Sequence, residues 1–163
     1  MPQAAGTNHK RMIVVVDDEE MVLTSIRSLL HLETDYKVDC FTEPERAVDQ
    51  VRQNGADLVI ADYLMKSMDG IQFLGKIREL NPEATRILLT GYADKESAVF
   101  AINTVGLFQY IEKPWDNDEL LLAIRNGLER NALLKQLREK VSDLGEANKD
   151  LKETQRKLLK AFI

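Results

Sequence analysis

The chain has 163 residues, 44% of them hydrophobic and 30% charged, which suits one domain of about 150 residues with an appendage and excludes a disordered chain. A net charge of −5 offers no broad attraction to nucleic acid or to an anionic membrane surface. Cys40 is the only cysteine, so an internal disulfide framework and a thiolate metal cluster are both excluded.

In chain order, residues 1–10 read as a flexible tail, because MPQAAGTNHKR carries no apolar segment of a secretory signal. Five short apolar or β-branched runs follow: MIVVV (12–16), VDCF (38–41), DLVIA (57–61), RILLT (86–90) and FQYI (108–111). Three of them are nearly continuous apolar runs, as expected of strands covered on both faces. The segments between them have helical spacing. Val22, Ile26, Leu29 and Leu30 make one stripe; Ala47, Val48 and Val51 make a second. Ile71, Leu74 and Ile77 form a third, closed by Asn81-Pro82. Ala98, Ile102 and Val105 form a fourth with Gly106 as its C-cap, and Leu120, Leu121, Ile124 and Leu128 a fifth. Strand and helix alternating five times predict an α/β fold, a doubly wound parallel sheet with helices on both faces and a domain over residues 11–130.

The last helix continues past that domain. A seam of Leu134, Leu137, Val141, Leu144, Asn148, Leu151, Gln155 and Leu158 alternates by three and four residues, with Phe162 beyond it. Residues 131–163 are therefore expected to form a coiled-coil helix continuous with the last domain helix. Asn148 at an a position favours a parallel homodimer, and Gly145 weakens the seam locally. The charge divides at the same place: residues 131–163 hold 8 of the 22 Lys and Arg and 5 of the 27 Asp and Glu, leaving 14 against 22 upstream.

In parallel α/β sheets ligands bind beyond the carboxyl ends of the strands. Asp17 and Asp18 follow strand one, Asp62 follows strand three, Thr90 ends strand four, and Lys113-Pro114 follows strand five. Singly, each is an ordinary turn, cap or surface residue. Converging at one crevice, the three carboxylates repel one another unless a cation neutralises them, and oxygen-only donors suit Mg²⁺. A carboxylate can also accept a phosphoryl group, with Thr90 donating to a phosphoryl oxygen and Lys113 pairing with its charge.

IVVVDDEE (13–20), DYLMKSMDG (62–70), ILLTGYAD (87–94) and QYIEKPW (109–115) resemble, in order and spacing, the receiver domain of two-component response regulators, over about residues 11–130. The resemblance implies a flavodoxin-like five-stranded sheet of order 2-1-3-4-5. It implies Asp62 as phosphoacceptor, with Asp17, Asp18, Asp62 and the Leu64 backbone carbonyl holding Mg²⁺. It implies that Thr90 and Lys113 contact the phosphoryl group, that Thr90 and Tyr110 switch together, and that the Lys113-Pro114 peptide bond is cis. The donor it implies is a histidine kinase or phosphotransfer protein. The sequence departs from the family at Lys66, where a proline is usual. Leu64 and Tyr92 flank the path of an attacking water, so slow hydrolysis is expected.

Competing readings need features that are missing. A haloacid-dehalogenase-type phosphatase requires a second Asp two residues after the nucleophile, where Leu64 stands. A nucleotide or flavin module would want a glycine-rich loop after strand one, where DDEE stands. Residues 131–163 hold no helix-turn-helix, so direct nucleic acid binding is not expected. No apolar run approaches the roughly 20 residues that span a bilayer, and a cytoplasmic location is expected. The chain is thus expected to be a signalling phosphoacceptor and not an enzyme, controlling through its coil an output domain outside this sequence or acting as a stand-alone adaptor.

Overall fold

A computed structural model of the chain describes residues 9–161, and of Tyr92 the backbone only. All but His9 and Lys10 of the expected tail, and Phe162 of the extended seam, lie outside the described residues. The elements alternate as expected: β1 (Met12–Val16), α1 (Glu20–Glu33), β2 (Lys37–Phe41), α2 (Pro44–Asn54), β3 (Leu58–Asp62), α3 (Gly70–Leu80), β4 (Thr85–Thr90), α4 (Lys95–Thr104), β5 (Gln109–Glu112) and α5 (Asn117–Ala161). A 3₁₀ turn at Tyr92–Asp94 joins β4 to α4.

The five strands are parallel in the order β2-β1-β3-β4-β5. Each central strand feeds two cores, because successive side chains point to opposite faces. Val14, Val16, Val59, Ala61 and Leu88 pack on one side with Phe73, Leu74 and Ile77 of α3 and with residues of α2 and α4. Ile13, Val15, Leu58, Ile60, Ile87 and Leu89 pack on the other with α1 and α5. Full burial of one such side chain contributes about 1.5–3 kcal/mol, which is why these strands read as unbroken apolar runs.

Three expectations shift in detail. Asp62 is the last residue of β3 instead of following it. The fifth strand begins at Gln109, although the Phe108 amide already donates to the Arg86 carbonyl of β4 at 2.9 Å and its ring packs on the α1 and α5 side. On α4 the buried face is Ala98, Ala101 and Val105, whereas Ile102 is exposed. Small residues sit where that helix lies close to the sheet. Gly106, at φ 62°, adopts the left-handed conformation that ends α4 after Val105.

The described chain divides into two units, one through Asn131 and one from Ala132. In the second unit residues 132–161 are helical, and Leu137, Val141, Leu144, Leu151 and Leu158 of the expected seam are all exposed, as are Asn148 and Gln155; Leu134 is half-buried. No described helix is long and apolar enough to cross a membrane.

Candidate functional site

Strand register sets the site. Val16 pairs with Ala61, so Asp17 and Asp62 fall level on neighbouring strands. Asp62 pairs with Leu89 and Thr90 with Glu112, which brings Thr90 and Lys113 to the same edge. Main-chain bonds continue the ladders there: Asp17 N donates to the Phe41 carbonyl at 3.2 Å and Lys113 N to the Thr90 carbonyl at 2.7 Å. The Lys113-Pro114 peptide bond is cis.

Asp17 is fully buried. Its Oδ1 accepts from the Glu19 amide at 2.9 Å and its Oδ2 from Lys113 Nζ at 2.9 Å. The same ammonium lies 3.1 Å from Asp62 Oδ1. Asp17, Asp18 and Asp62 each offer an oxygen within 4.8 Å of the others, a cluster of hard donors able to hold a divalent cation such as Mg²⁺. Burial pushes the Asp62 carboxyl above its usual range and the charge of Asp17 adds to the shift, with Lys113 opposing it. Burial likewise raises Asp17, outweighing the Glu19 amide and Lys113. For Lys113, burial acts downward, but the two carboxylates outweigh it and hold the ammonium above its ordinary value. Lys113 alone thus leaves the acidic edge under-neutralised, which fits an added cation. Thr90 is also fully buried, and its Oγ1 has no hydrogen-bond partner. A buried hydroxyl left unpaired is costly unless something else accepts from it, so this atom fits an anionic oxygen arriving beside Asp62.

The structure brings Asp17, Asp18, Asp62 and Lys113 together with the unpaired Thr90 hydroxyl at one edge. Leu64 lies in the loop after β3 with its side chain exposed. Tyr110 sits within β5, paired with Leu88, and packs half-buried against the core on the α4 side. Lys66 is exposed in the loop between β3 and α3. The side chain of Tyr92 lies outside the described residues, and the coil residues belong to the second unit.

Gly70 lies tight against the end of β3 and was not singled out in the sequence. A Cβ there would collide with the Asp62 carbonyl oxygen and stand 2.8 Å from Leu88 Cδ1. Its amide donates to the Tyr63 carbonyl at 2.8 Å. Asp69 caps α3 through a capping box with Gln72, so α3 starts tightly against the end of β3. The D-x-x-Q spacing straddling Gly70 was the available signal.

A doubly wound parallel sheet of this order, with buried carboxylates and a lysine at its carboxyl edge, defines the CheY-like class of α/β domains. Within that class the chain belongs to the response regulator receiver domain family, whose model matches residues 13–125. It is 37% identical over 116 residues to the transcriptional regulatory protein ZraR of Escherichia coli K12, covering 71% of this chain and 26% of ZraR. It is 28% identical over 166 residues to the response regulator protein TmoT of Ectopseudomonas mendocina, covering 99% of this chain and 74% of TmoT. The signal receiver domain of an HD domain-containing protein from Pseudomonas fluorescens Pf-5 superposes with a TM-score of 0.76 at 33% identity, covering 82% of this chain and 98% of that one. The chain spans about a quarter of the length of the transcriptional regulators it matches, ZraR among them.

Proposed function

We propose that Asp62 is the phosphoacceptor of this receiver and that it takes a phosphoryl group from a phosphohistidine on a histidine kinase or phosphotransfer protein. The observation that carries the reading is the pairing of a buried Asp62 carboxylate, 3.1 Å from Lys113 Nζ, with a buried Thr90 hydroxyl that has no partner. In the transfer an Asp62 oxygen bonds to phosphorus as the phosphorus–nitrogen bond breaks, and the imidazole leaves with the bonding pair. Lys113 balances the charge delivered to Asp62, and Thr90 donates to a phosphoryl oxygen. Asp17, Asp18, Asp62 and the Leu64 carbonyl would hold Mg²⁺, which when bound neutralises carboxylate and phosphoryl oxygens. Leu64 restricts water and prolongs the phosphorylated state.

Phosphorylation biases residues 94–130 between two arrangements, with Thr90 and Tyr110 moving together. The exposed seam from Leu137 to Leu158 supports a parallel homodimer through the C-terminal helix, a coil that controls an output domain. Acetyl phosphate with Mg²⁺ should add one phosphoryl mass to the wild type and none to Asp62→Asn. Equal labelling of the two proteins would refute the assignment.

A further inference from the structure

Where α5 leaves the sheet it is fastened to β4. A Cβ on Gly127 would stand 2.8 Å from Leu58 Cδ1 and 2.9 Å from Thr85 Cγ2, so the helix backbone is pressed onto β3 and β4. At that contact the Thr85 hydroxyl donates to the Gly127 carbonyl at 2.6 Å. One turn on, Asn131 is fully buried, and its Nδ2 donates to the Glu83 carbonyl just before β4 at 2.7 Å. Its Oδ1 accepts from Arg11 Nη2 at 3.0 Å, and the same nitrogen donates to the Leu128 carbonyl at 2.6 Å. A buried amide is tolerated when both ends are bonded, as these are. Asn131 is also the last fully buried residue among those described in α5.

The spacing of these bonds selects one register. Gly127 and Asn131 lie four residues, about 6 Å, apart along the helix, and they meet Thr85 at the start of β4 and Glu83 in the turn before it. A slip of α5 by one residue would move it about 1.5 Å and turn it about 100°, breaking both bonds. At the other end of the same strand, about 17 Å away, is Thr90.

We infer that Arg11, Thr85 and Asn131 are positioning residues, a clasp by which β4 sets the register and rotational phase of α5 and so passes the state of the Asp62 edge to the coil. This rests on the receiver reading and names how the site controls the helix. None of the three residues belongs to the phosphoacceptor edge.

The test compares wild type, Thr85→Val with Asn131→Ala, and Thr85→Ser in the whole chain, using beryllofluoride with Mg²⁺ as phosphoryl analogue. Analogue binding and self-association by sedimentation are read separately. Wild type should bind the analogue and change its dimer dissociation constant by at least about fivefold, the lower range of ordinary coupling. The double variant should bind the analogue as wild type does, with the change in association reduced to less than about twofold. Thr85→Ser keeps the donor and should retain the wild-type ratio. The clasp is overturned by a double variant that keeps the full ratio, by a serine variant that loses it, or by a wild type that binds the analogue without changing association. A wild type that does not bind the analogue instead refutes the receiver reading, and the clasp with it.

Discussion

Glycine-to-alanine substitution should have opposite signs at two positions of α5. In an exposed helix interior the change gains up to about 1 kcal/mol, because Ala gives up less backbone freedom than Gly on folding. At Gly145 nothing lies within 4 Å of an added Cβ, so that gain should be realised in full. At Gly127 the new Cβ meets Leu58 Cδ1 at 2.8 Å and Thr85 Cγ2 at 2.9 Å. Both side chains are fully buried and have no room to swing away, and overpacking of this kind costs about 1–3 kcal/mol. If Thr85 yields, its 2.6 Å bond to the Gly127 carbonyl is lost as well, adding about 1 kcal/mol. Set against the propensity gain, Gly127→Ala should destabilise the receiver by about 1–3 kcal/mol. Urea unfolding followed through Trp115, the single tryptophan, reports on this fold, since Trp115 packs on the α1 and α5 side of the core. Helicity at 222 nm should rise for Gly145→Ala. A Gly127→Ala protein as stable as wild type would refute the close-approach reasoning.

Three further outcomes are expected. Asp62 ionises against an environment that raises its carboxyl, burial first and Asp17 second, so its charge costs stability above the folded-state value. Asp62→Asn should therefore stabilise the metal-free protein at neutral pH, with the advantage fading as pH falls through that value towards 3.8 and shrinking when Mg²⁺ is added; an advantage growing with acid would contradict it. Replacing exposed Leu137 and Leu144 with Glu should abolish dimers in sedimentation while leaving Asp62 labelling intact, and dimers that persist would count against the coil. The aspartyl phosphate should outlast minutes in purified protein with Mg²⁺ and be shortened by Leu64→Asn, whereas a wild-type lifetime of seconds would sink the water-exclusion idea.

The three central strands, β1, β3 and β4, were legible because both faces of each are buried, which leaves a continuous apolar run whatever the helices do. Their ends were legible as chemistry through the general rule that ligands gather at carboxyl edges. What escaped was polar residues buried by long-range contacts. Arg86 lies inside β4, where periodicity would make it a surface charge. Its guanidinium instead donates to the carbonyls of Pro82, Ala84, Val105 and Gly106, at 2.9–3.2 Å. Burial, then repulsion from Arg78 and Arg130, pulls its pKa down to about 10. Those acceptors are main-chain atoms of the turn before β4 and of the end of α4, so no residue type announces them. The Ile102 error has the same root: hydrophobicity ranks Ile above Ala, whereas close packing against the sheet selects the smaller Ala101.

No linker composition marks the boundary near residue 130. Here α5 runs unbroken from Asn117 to Ala161, and the buried contacts end on Asn131, a residue whose amide is held at both ends. A helix interior ordinarily disfavours Gly and Asn, yet Gly127 and Asn131 occupy successive turns at this point. Each is explained by its contacts: Gly127 by close approach to Leu58 of β3 and Thr85 of β4, Asn131 by hydrogen bonds with Arg11 and the Glu83 carbonyl. The boundary is therefore written in residues unfavourable to the helix and required by the sheet, a pattern that composition scanning treats as noise and that becomes readable only once the partner strand is known.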